Sequence, residues 1–320
     1  MKCLHCRKTV EIIEARDFCG LHKVCFLKNF KLTDSLKFSN LDPKKPDSSS
    51  GYSHIKKTKD SFYHGRYRKY SAYLGATRYI LKIQEEKFPD LPAIEYVCNK
   101  IASLLNLSVP EYHLIKYKVE DETKHNIQEQ IKNESLYNKS NIGSMTFIVR
   151  NFMQDYKGGT LHHIYKFLPK GAKNHNCKNI IDVLFHHTKP ADVARFIEIT
   201  LFDSLIGNND RHGRNLGIIE STKQKRLAPM YDNPSYFGIE SDDLIGADFN
   251  ISGCIRTSLS KEPMLMDYLK EFQSLGFEKI CLEFFKKVTG KFSQIIESIE
   301  SSEVSEKRRK AFTKFLHKQL

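Results

Sequence analysis

The chain has 320 residues, of which 40% are hydrophobic and 28% are charged, an ordinary composition for a globular protein. It contains no run of about 18 apolar residues and no N-terminal apolar stretch of signal-peptide length, which argues against a membrane span and predicts a cytoplasmic location. Lys and Arg outnumber Asp and Glu by 51 to 38, which gives a net charge of +13. Such a surface attracts polyanions (nucleotides, nucleic acids or anionic lipids), although a solvated basic surface without such a partner fits equally well.

The first 30 residues are rich in Cys and His and predict a small separate segment. Four of these residues form two pairs, each with two intervening residues: Cys3 and Cys6, then His22 and Cys25. Paired soft ligands at this spacing are typical of a structural zinc site, and zinc would supply folding free energy that so short a segment cannot obtain from a core. Cys19 and His5 are alternative ligands. In the other interpretation, the cysteines are reduced and pack as small hydrophobic residues.

Strand signals dominate the next part of the chain. Residues 31–60 are polar, and the two prolines within 42–47 predict an interruption of regular structure before Ser48-Ser49-Ser50-Gly51. The β-branched and aromatic segment 78–83 predicts a buried strand. Apolar residues at helical spacing predict a helix over about 92–106, and strands are predicted over 109–119 and 145–153. The lysine-, asparagine- and glutamate-rich insertion 120–142 predicts a mobile loop.

From about residue 180 the pattern becomes mainly helical. It predicts a core helix over 191–205, short strands over 216–219 and 227–231, helices over about 264–275 and 277–299, and a basic C-terminal helix that ends at 307–310. The strand-rich N-terminal part and the helical C-terminal part together predict an α+β fold. This fold would have a small strand-rich N-lobe, a mainly helical C-lobe and a cleft between them. We expect the Cys/His segment over 1–30, the N-lobe over 31–155 and the C-lobe over 156–320.

A group of polar residues follows the predicted core helix. Asp210 and Asn215 are five residues apart, and Asp232 ends the second of the two short strands. Phosphoryl transfer needs a carboxylate to orient the acceptor hydroxyl, and an amide oxygen with a second carboxylate to hold magnesium on the phosphates. Asn-Asn-Asp and Gly-Arg-Asn are also common turn residues. Their combination in the order helix, loop, strand, strand and Asp predicts an ATP-dependent kinase in which Asp210 is catalytic.

Two features of the N-lobe fit a phosphate-binding role. Lys82 lies in an otherwise apolar strand. It is either a lysine that extends to solvent or the phosphate-binding lysine of a kinase, held by Glu95 of the next helix. The turn at Ser50 and Gly51 either binds ATP phosphate through backbone N–H groups or is a flexible linker.

The chain also resembles a known family of kinases. The sequence LFDSLIGNNDRHGRN over 201–215, followed by LAPMYD over 227–232, is similar to the C-terminal signature of HipA-type serine/threonine kinases, the toxins of bacterial toxin–antitoxin operons. The similarity extends over roughly 48–275, and it includes the serine–glycine loop, YILK at 79–82, Phe88-Pro89 with Glu95, LSVP at 107–110, and FIV at 147–149 running into Phe152. The resemblance implies a kinase that uses ATP and Mg²⁺ to phosphorylate a protein serine, for which aminoacyl-tRNA synthetases are the known targets in the family.

The resemblance further implies roles for individual residues. By position, Asp210 is the catalytic base, Asn215 and Asp232 are the magnesium ligands, and Lys82 contacts the ATP phosphates. Further ATP contacts are implied for Glu95, Arg150, Phe152, His212, Ser50 and Gly51, of which Arg150 and Phe152 border the adenine. Autophosphorylation in the loop is implied at Ser48, Ser50 or Ser53. A phosphate there would add close to two negative charges beside the ATP phosphates and should oppose nucleotide binding.

Three departures from the family pattern affect these inferences. The glutamine and the lysine usual after the loop glycine are absent, and Ser53 and Ile55 stand in their places. The segment YDNP at 231–234 lacks the glycine that follows the aspartate in ordinary kinases. Only 47 residues precede Ser48, so the chain resembles the short HipT type, in which a separate small protein replaces an N-terminal subdomain. The implied partners are therefore a HipS-like small antitoxin and a HipB-like helix-turn-helix antitoxin, with DNA contacted only through the antitoxin and no contact with a membrane.

Two other functions stay open on the sequence alone. The pattern DRHxxN at 210–215 also matches the catalytic loop of phosphatidylinositol kinases, and a positive charge would suit their anionic membrane substrate. The second alternative is a basic nucleic-acid-binding protein with a zinc ribbon that has lost catalysis. The presence of Lys82, Asp210, Asn215 and Asp232 argues against this alternative.

Overall fold

The computed structural model describes residues 1–44, 69–118, 142–222, 224–240 and 249–320. The strands are β1 (Phe38–Lys44), β2 (Lys69–Leu74), β3 (Thr77–Ile83), β4 (Tyr112–Tyr117), β5 (Ser144–Arg150), β6 (Thr160–His163), β7 (Gly217–Glu220) and β8 (Lys225–Leu227). The helices are α1 (Ile12–Asp17), α2 (Lys23–Phe30), α3 (Leu91–Leu104), α4 (Cys177–His187), α5 (Pro190–Ile206), α6 (Tyr236–Ile239), α7 (Leu265–Ser274), α8 (Glu278–Glu300) and α9 (Glu306–Gln319). None of the helices in these ranges combines the length and apolarity needed to cross a membrane.

An antiparallel sheet of five strands, in the order β1-β2-β3-β5-β4, forms the N-lobe together with α3. Successive side chains of a strand point to opposite faces of its sheet. In β3, Tyr79 and Leu81 therefore join an apolar cluster behind the sheet, whereas Ile80 and Lys82 lie on the face toward the C-lobe. This alternation decides which side chains can reach the cleft between the lobes.

The N-terminal module, residues 1–30, packs behind this sheet. Its buried apolar side chains are Leu4, Val10, Ala15, Leu21, Phe26 and Phe30, and they share one cluster with Tyr79 and Leu81. The rings of Phe30 and Tyr79 are 5.6 Å apart and meet edge to face. The backbone N–H of Lys116 in β4 donates to the carbonyl oxygen of Cys19 at 2.8 Å, which adds a polar link. The module thus covers the face of the sheet opposite to Lys82.

The C-lobe is built around α5, which is buried along most of its length. Its side chains at Phe196, Ile197, Leu201, Phe202 and Leu205 have no exposed surface. The helix packs against α4, α7, α8 and α9, and its charged residue Asp203 is buried as well. Apolar residues of α3 join the same cluster, so α3 is shared between the two lobes. A second antiparallel sheet, in the order β6-β7-β8, carries the loops that follow α5.

The structure corrects the predicted interruption near the first prolines. Strand β1 continues through Asp42, Pro43 and Lys44, and Pro43 lies opposite Tyr70 of β2. A proline cannot donate a hydrogen bond to a neighbouring strand, but β1 is an edge strand with a shift of register between Ser39 and Asp42. The missing N–H group is therefore tolerated.

Three other predicted boundaries were wrong. The basic residues 307–310 begin the C-terminal helix rather than end it, since α9 runs from Glu306 to Gln319 and buries Phe312 and Phe315. The strand predicted over 227–231 runs instead from Lys225 to Leu227, and Pro229, which has no N–H group to donate, follows it. The strand predicted to 153 ends at Arg150, where Asn151 caps a short 3₁₀ helix. The insertion 120–142 lies almost entirely outside the described residues.

Candidate active site between the lobes

Two lysines of the N-lobe point into the cleft from neighbouring strands. The register that pairs Tyr70 with Leu81 also places Lys69 of β2 across from Lys82 of β3. Both side chains are buried, with 4% of their surface exposed. Two ammonium groups side by side in a buried site repel each other and lose hydration, so both need anionic partners.

Two carboxylates supply these partners from distant parts of the chain. Nζ of Lys82 donates to Oε1 of Glu95 at 2.7 Å and to Oε2 at 2.5 Å. Asp232 accepts from Lys82 through Oδ1 at 2.5 Å and from Lys69 through Oδ2 at 2.8 Å. The structure thus brings together Lys82, Glu95 and Asp232, as expected from the sequence, and adds Lys69. We call these four residues the cleft charge cluster.

The charged groups of this cluster shift one another's pKa values. Burial alone would raise the pKa of Asp232, but the ammonium groups of Lys69 and Lys82 outweigh it and lower that pKa. Burial would likewise lower the pKa of Lys82, yet Asp232 and Glu95 raise it. Burial lowers the pKa of Lys69 despite the attraction of Asp232. Asp232 is therefore held ionised, which suits a metal ligand.

A tight loop after α5 carries the predicted catalytic residue. Helix α5 ends at Gly207, whose φ of 68° is left-handed, and an added Cβ would lie 3.0 Å from Ile251. Glycine adopts this conformation without a steric penalty. Asn208 accepts from the backbone N–H of Asp210 at 3.0 Å, which fixes the start of the loop.

Asp210, His212 and Asn215 project from this loop. The carboxylate of Asp210 is partly exposed and lies 3.9 Å from Nε2 of His212. Burial raises the pKa of Asp210, while His212 lowers it in part. Nδ2 of Asn215 donates to the carbonyl oxygen of Asp210 at 2.8 Å, so its carboxamide oxygen is the atom left to meet a cation. Asp232, Lys69 and Lys82 also contribute to the pKa of Asp210, so this loop faces the cleft charge cluster.

Arg211 lies beneath the loop, almost completely buried. Its guanidinium group donates to both oxygens of Asp203 at 2.8 and 2.9 Å. It also donates to the carbonyl oxygens of Asn215 at 3.1 Å and Tyr231 at 2.7 Å, and to Oδ1 of Asn233 at 2.6 Å. One side chain therefore holds α5, the loop with Asp210 and the segment with Asp232 in a fixed arrangement.

Asn233 links this arrangement to α3. Its backbone N–H donates to Oε1 of Glu95 at 3.3 Å, and its Nδ2 donates to Oδ1 of Asn99 at 3.1 Å. Asp232 itself has a φ of 56°, which is uncommon for a residue other than glycine. Such a conformation persists only where the surroundings hold it. The contacts of Asn233 and Arg211 on either side of Asp232 provide this support.

The predicted adenine residues occupy the connection between the lobes. Phe152 is buried and its ring lies 5.7 Å from that of Tyr231, in a small apolar cluster with Ile80. Arg150 forms a two-point ion pair with Asp155, at 2.5 and 2.6 Å. Phe152 therefore lies near the cleft, whereas the charge of Arg150 is already paired. Ser48, Ser50, Gly51 and Ser53 lie outside the described residues.

The predicted metal ligands of the N-terminal module form a separate cluster. The ligand atoms of Cys3, Cys6, His22 and Cys25 all lie within 4.8 Å of one another, and within the described residues this is the group whose geometry could hold a metal ion. Burial raises the pKa of the Cys3 thiol, but backbone hydrogen bonds from Cys6, His22 and His5 and a hydrogen bond from the His22 side chain lower it to about 6. Cys19 and His5 are not part of this group.

Sequence reasoning missed Lys69 and the pair of Arg211 with Asp203. The signal for Lys69 was the alternation of polar Lys69 and Ser71 with apolar Tyr70 and Ala72, the pattern of a strand with one buried face. Arg211 lies within the segment 201–215, but the sequence does not show whether an arginine is buried or exposed. Only the fold shows that α5 places Asp203 beneath it.

Comparisons with known proteins agree with this geometry. A family model described as the HipA-like C-terminal domain matches residues 56–301. The chain is 26% identical over 226 residues to the Sinorhizobium fredii (strain NBRC 101917 / NGR234) protein named "Putative kinase Y4dM". The match covers 69% of this chain and 52% of that protein, so the chain spans about half the length of this relative.

Two solved structures share the fold. The Helicobacter pylori proinflammatory kinase CtkA has a TM-score of 0.60 at 18% identity, covering 78% of this chain and 89% of that chain. HipA of Shewanella oneidensis MR-1, solved in a complex of its toxin–antitoxin system with HipB and operator DNA, has a TM-score of 0.52 at 15% identity. That match covers 88% of this chain and 71% of that chain. These similarities confirm the predicted α+β, two-lobed, kinase-like fold.

Proposed function

Because the chain belongs to the HipA-like C-terminal domain family, we propose that it is an ATP-dependent protein kinase that phosphorylates a protein serine or threonine. The observation that carries this proposal is the convergence of Lys82, Glu95 and Asp232 in one buried cluster. These three residues come from β3, from α3 and from the loop after β8, and nothing in local structure requires them to meet. A lysine held by a helix glutamate beside a loop aspartate is the arrangement that protein kinases use for phosphoryl transfer.

The two lysines are the proposed contacts for the ATP phosphates. Lys69 and Lys82 both pair with Asp232. A triphosphate offers oxygens that could accept from both ammonium groups, and charge-assisted bonds of this kind are among the strongest in proteins. When Lys82 changes partner from Asp232 to a phosphate, Glu95 keeps it in place, because Glu95 holds the ammonium group from the side of α3. The adenine would then lie near Phe152, where the chain passes between the lobes.

The proposed magnesium ligands are Asp232 and Asn215. Magnesium prefers oxygen ligands and commonly takes one or two carboxylates together with substrate phosphates. Asp232 is held ionised by its neighbours, and Asn215 has its amide nitrogen committed to the carbonyl of Asp210 and its oxygen available. The donor set therefore fits the ion. When bound, Mg²⁺ would neutralise charge on the phosphates and orient them for transfer.

Asp210 is the proposed base. Its partly exposed carboxylate can accept the proton of an acceptor hydroxyl as that oxygen bonds to the γ-phosphorus and ADP departs. Burial raises its pKa, which makes its carboxylate a better proton acceptor than that of an exposed aspartate. His212, 3.9 Å away, would stabilise the carboxylate and lie close to the phosphates.

We extend the proposal to a toxin of a toxin–antitoxin system. This part rests on the family and on the fold shared with the HipA that was solved with HipB and operator DNA. The proposed partners are a HipB-like DNA-binding antitoxin and a HipS-like small antitoxin, and the proposed target is an aminoacyl-tRNA synthetase. Autophosphorylation at Ser48, Ser50 or Ser53 would control the enzyme by opposing ATP binding.

The test is phosphate transfer from γ-labelled ATP by the purified chain, alone and with casein as a generic acceptor. We expect magnesium-dependent labelling of protein, with phosphate on Ser48, Ser50 or Ser53 by mass spectrometry. Asp210→Ala should lower the rate about 10²- to 10⁴-fold. The matched control is Asp182→Ala, an exposed aspartate of α4, which should leave the rate unchanged. Labelling of phosphoinositide vesicles without protein labelling would instead indicate a lipid kinase.

The toxin part has a separate readout. Expression of the chain in bacteria should arrest growth, and either Asp210→Ala or Asp232→Ala should relieve the arrest. If both variants accumulate to the parent level and remain equally toxic, phosphotransfer is not the cause of the arrest.

A further inference from the structure

The Cys/His cluster of the N-terminal module has the geometry of a tetrahedral metal site. Nδ1 of His22 lies 3.4 Å from Sγ of Cys6 and 3.9 Å from Sγ of Cys25. Zinc bonds of about 2.3 Å to sulfur and 2.0–2.1 Å to nitrogen place tetrahedral ligand atoms roughly 3.6 Å apart. The observed distances lie on either side of this value. Three thiols and one imidazole form a ligand set that structural zinc sites commonly use.

The surroundings orient the imidazole for this role. Nε2 of His22 lies 2.8 Å from the carbonyl oxygen of Thr9. A carbonyl cannot donate, so Nε2 carries the hydrogen and the lone pair lies on Nδ1, toward the sulfur atoms. Metal-binding histidines are typically fixed in this way by a hydrogen bond from the other ring nitrogen.

The backbone around the ligands needs external support. Arg7 directly follows the ligand Cys6 and has a φ of 64°, and Cys19 has a φ of 56°. Positive φ values at residues other than glycine persist only where the surroundings hold the backbone in place. A bound metal ion joins both ends of the module, residues 3–6 and 22–25, and would hold the chain between them in this conformation.

The turn at Arg7 also reaches the other lobe. Its guanidinium group donates to the carboxylate of Glu303 and to the carbonyl oxygen of Ser301, in the turn between α8 and α9. The same turn contacts the start of α3, because Asp90 accepts from the backbone N–H of Ser305 at 2.8 Å and from its hydroxyl at 2.6 Å. The module, the C-lobe and the helix that carries Glu95 thus meet at residues 301–305.

We propose that Cys3, Cys6, His22 and Cys25 bind one Zn²⁺ ion, which fixes the N-terminal module and holds Arg7 as a clasp between the module and the C-lobe. The ion takes no part in phosphotransfer, because the module lies behind the sheet and Lys82 lies on its other face. Its role is structural: it sets the position of residues 301–305, against which the start of α3 rests.

The first test measures metal in the full chain, purified without an affinity tag or added metal. We expect about one zinc ion per chain by mass spectrometry, and Co²⁺ substitution should give the intense visible absorption of tetrahedral thiolate coordination. Cys6→Ser and Cys25→Ser should lose the ion, whereas Cys254→Ser, a cysteine outside the cluster, should keep it. Purified chain without metal, iron in place of zinc, or equal zinc in all variants would overturn the proposal.

The second test measures the clasp by amide hydrogen exchange. In Arg7→Ala, which should keep its zinc, exchange over 91–95 and 301–305 should quicken about two- to fivefold, the effect expected of a partly exposed ion pair. The matched control Arg16→Ala removes an exposed arginine that donates to its neighbour Asp17, and it should change neither segment. Removal of zinc from the parent by a chelator should quicken both segments at least as much as Arg7→Ala does.

Unchanged exchange in both the Arg7→Ala variant and the metal-free parent would refute the clasp. Chelation of the parent also keeps the test valid if the cysteine variants fail to fold. Neither measurement needs catalysis, so a chain that binds zinc but transfers no phosphate would contradict only the proposed kinase function.

Discussion

Two clusters of buried charge lie close together, one in the cleft and one beneath the loop after α5, and they differ in the kind of partner that each uses. Arg211 donates to Asp203, to three backbone carbonyl oxygens and to Asn233, all of which belong to the fold itself. Lys69 and Lys82 pair with the side chain of Asp232. The partners of Arg211 are parts of the fold that a ligand could not replace. For Lys69 and Lys82, a phosphate group could take the place of Asp232.

The difference shows that buried ion pairs can either fix the fold or prepare a site for a charged ligand. Breaking a buried ion pair by removing one partner is costly, because the other charge stays buried and uncompensated. In the Arg211 cluster this cost keeps the loop that carries Asp210 in one conformation. In the cleft charge cluster the same cost can be offset by ligand charges, because Asp232 could turn to a metal while the lysines turn to phosphate. Stability, ATP affinity and the pH dependence of activity can each be measured in variants of these residues and of Asp210.

The largest effect on stability is expected for Arg211→Ala. It leaves Asp203 buried and removes the hydrogen bonds to four other oxygens, so the free energy of unfolding should fall by about 3–5 kcal/mol. Urea denaturation followed by circular dichroism measures this change. The control is Arg16→Ala, whose arginine makes an exposed ion pair with Asp17 and should cost about 0–1 kcal/mol. Equal losses in the two variants would show that the Arg211 cluster is not structural.

A smaller effect, on ligand binding, is expected for the lysines. Lys82→Met and Lys69→Met should each weaken the binding of ATP with Mg²⁺ about 10- to 100-fold, which corresponds to a charged hydrogen bond of roughly 1.5–3 kcal/mol. Isothermal titration calorimetry measures the affinity. Lys178→Met, on the exposed side of α4, should have no effect. If Lys69→Met lowers stability without changing affinity, Lys69 belongs with Arg211 as a structural residue.

The smallest effect concerns pH. The proposed base Asp210 could act only when it is deprotonated, and burial raises its pKa. Activity should therefore fall as pH decreases through this raised pKa, so the acid limb of kcat/KM lies above that of an exposed aspartate. Because His212 lowers the pKa of Asp210 in part, His212→Ala should move the acid limb upward by about one pH unit or less. An acid limb that moves downward would exclude this role for His212.

Some contacts of the site could be predicted because they depend on residue type and order. Lys82 was a single charge in an apolar strand, and Glu95 lay on the next helix, where the two contact each other in the structure. The spacing of Cys3, Cys6, His22 and Cys25 predicted a metal site, and the structure brings these four side chains together. In each case the chemistry of the residue type narrows the choice of partner.

Other features could not be predicted, because they depend on which surfaces meet. Lys69 became part of the cleft charge cluster through the register of β2 against β3. Arg211 became buried because α5 placed Asp203 under the loop. Pro43 was read as an interruption, yet it lies in an edge strand that does not need its N–H group. Single-sequence patterns report the preference of a segment but not its neighbours.

The sequence by itself determined the two-lobed plan, the identity of the chemical groups at 210–232 and the Cys/His pairs that form the proposed metal site. These follow from periodicity, residue type and spacing, which act over short distances along the chain. The tertiary structure alone decided that Asp232 is shared by two lysines, that Arg211 fixes the loop from beneath, and that Arg7 reaches the turn after α8. The reason is physical: a buried charge takes whatever partner the packing of distant elements brings within a few ångströms, and packing is a property of the whole chain.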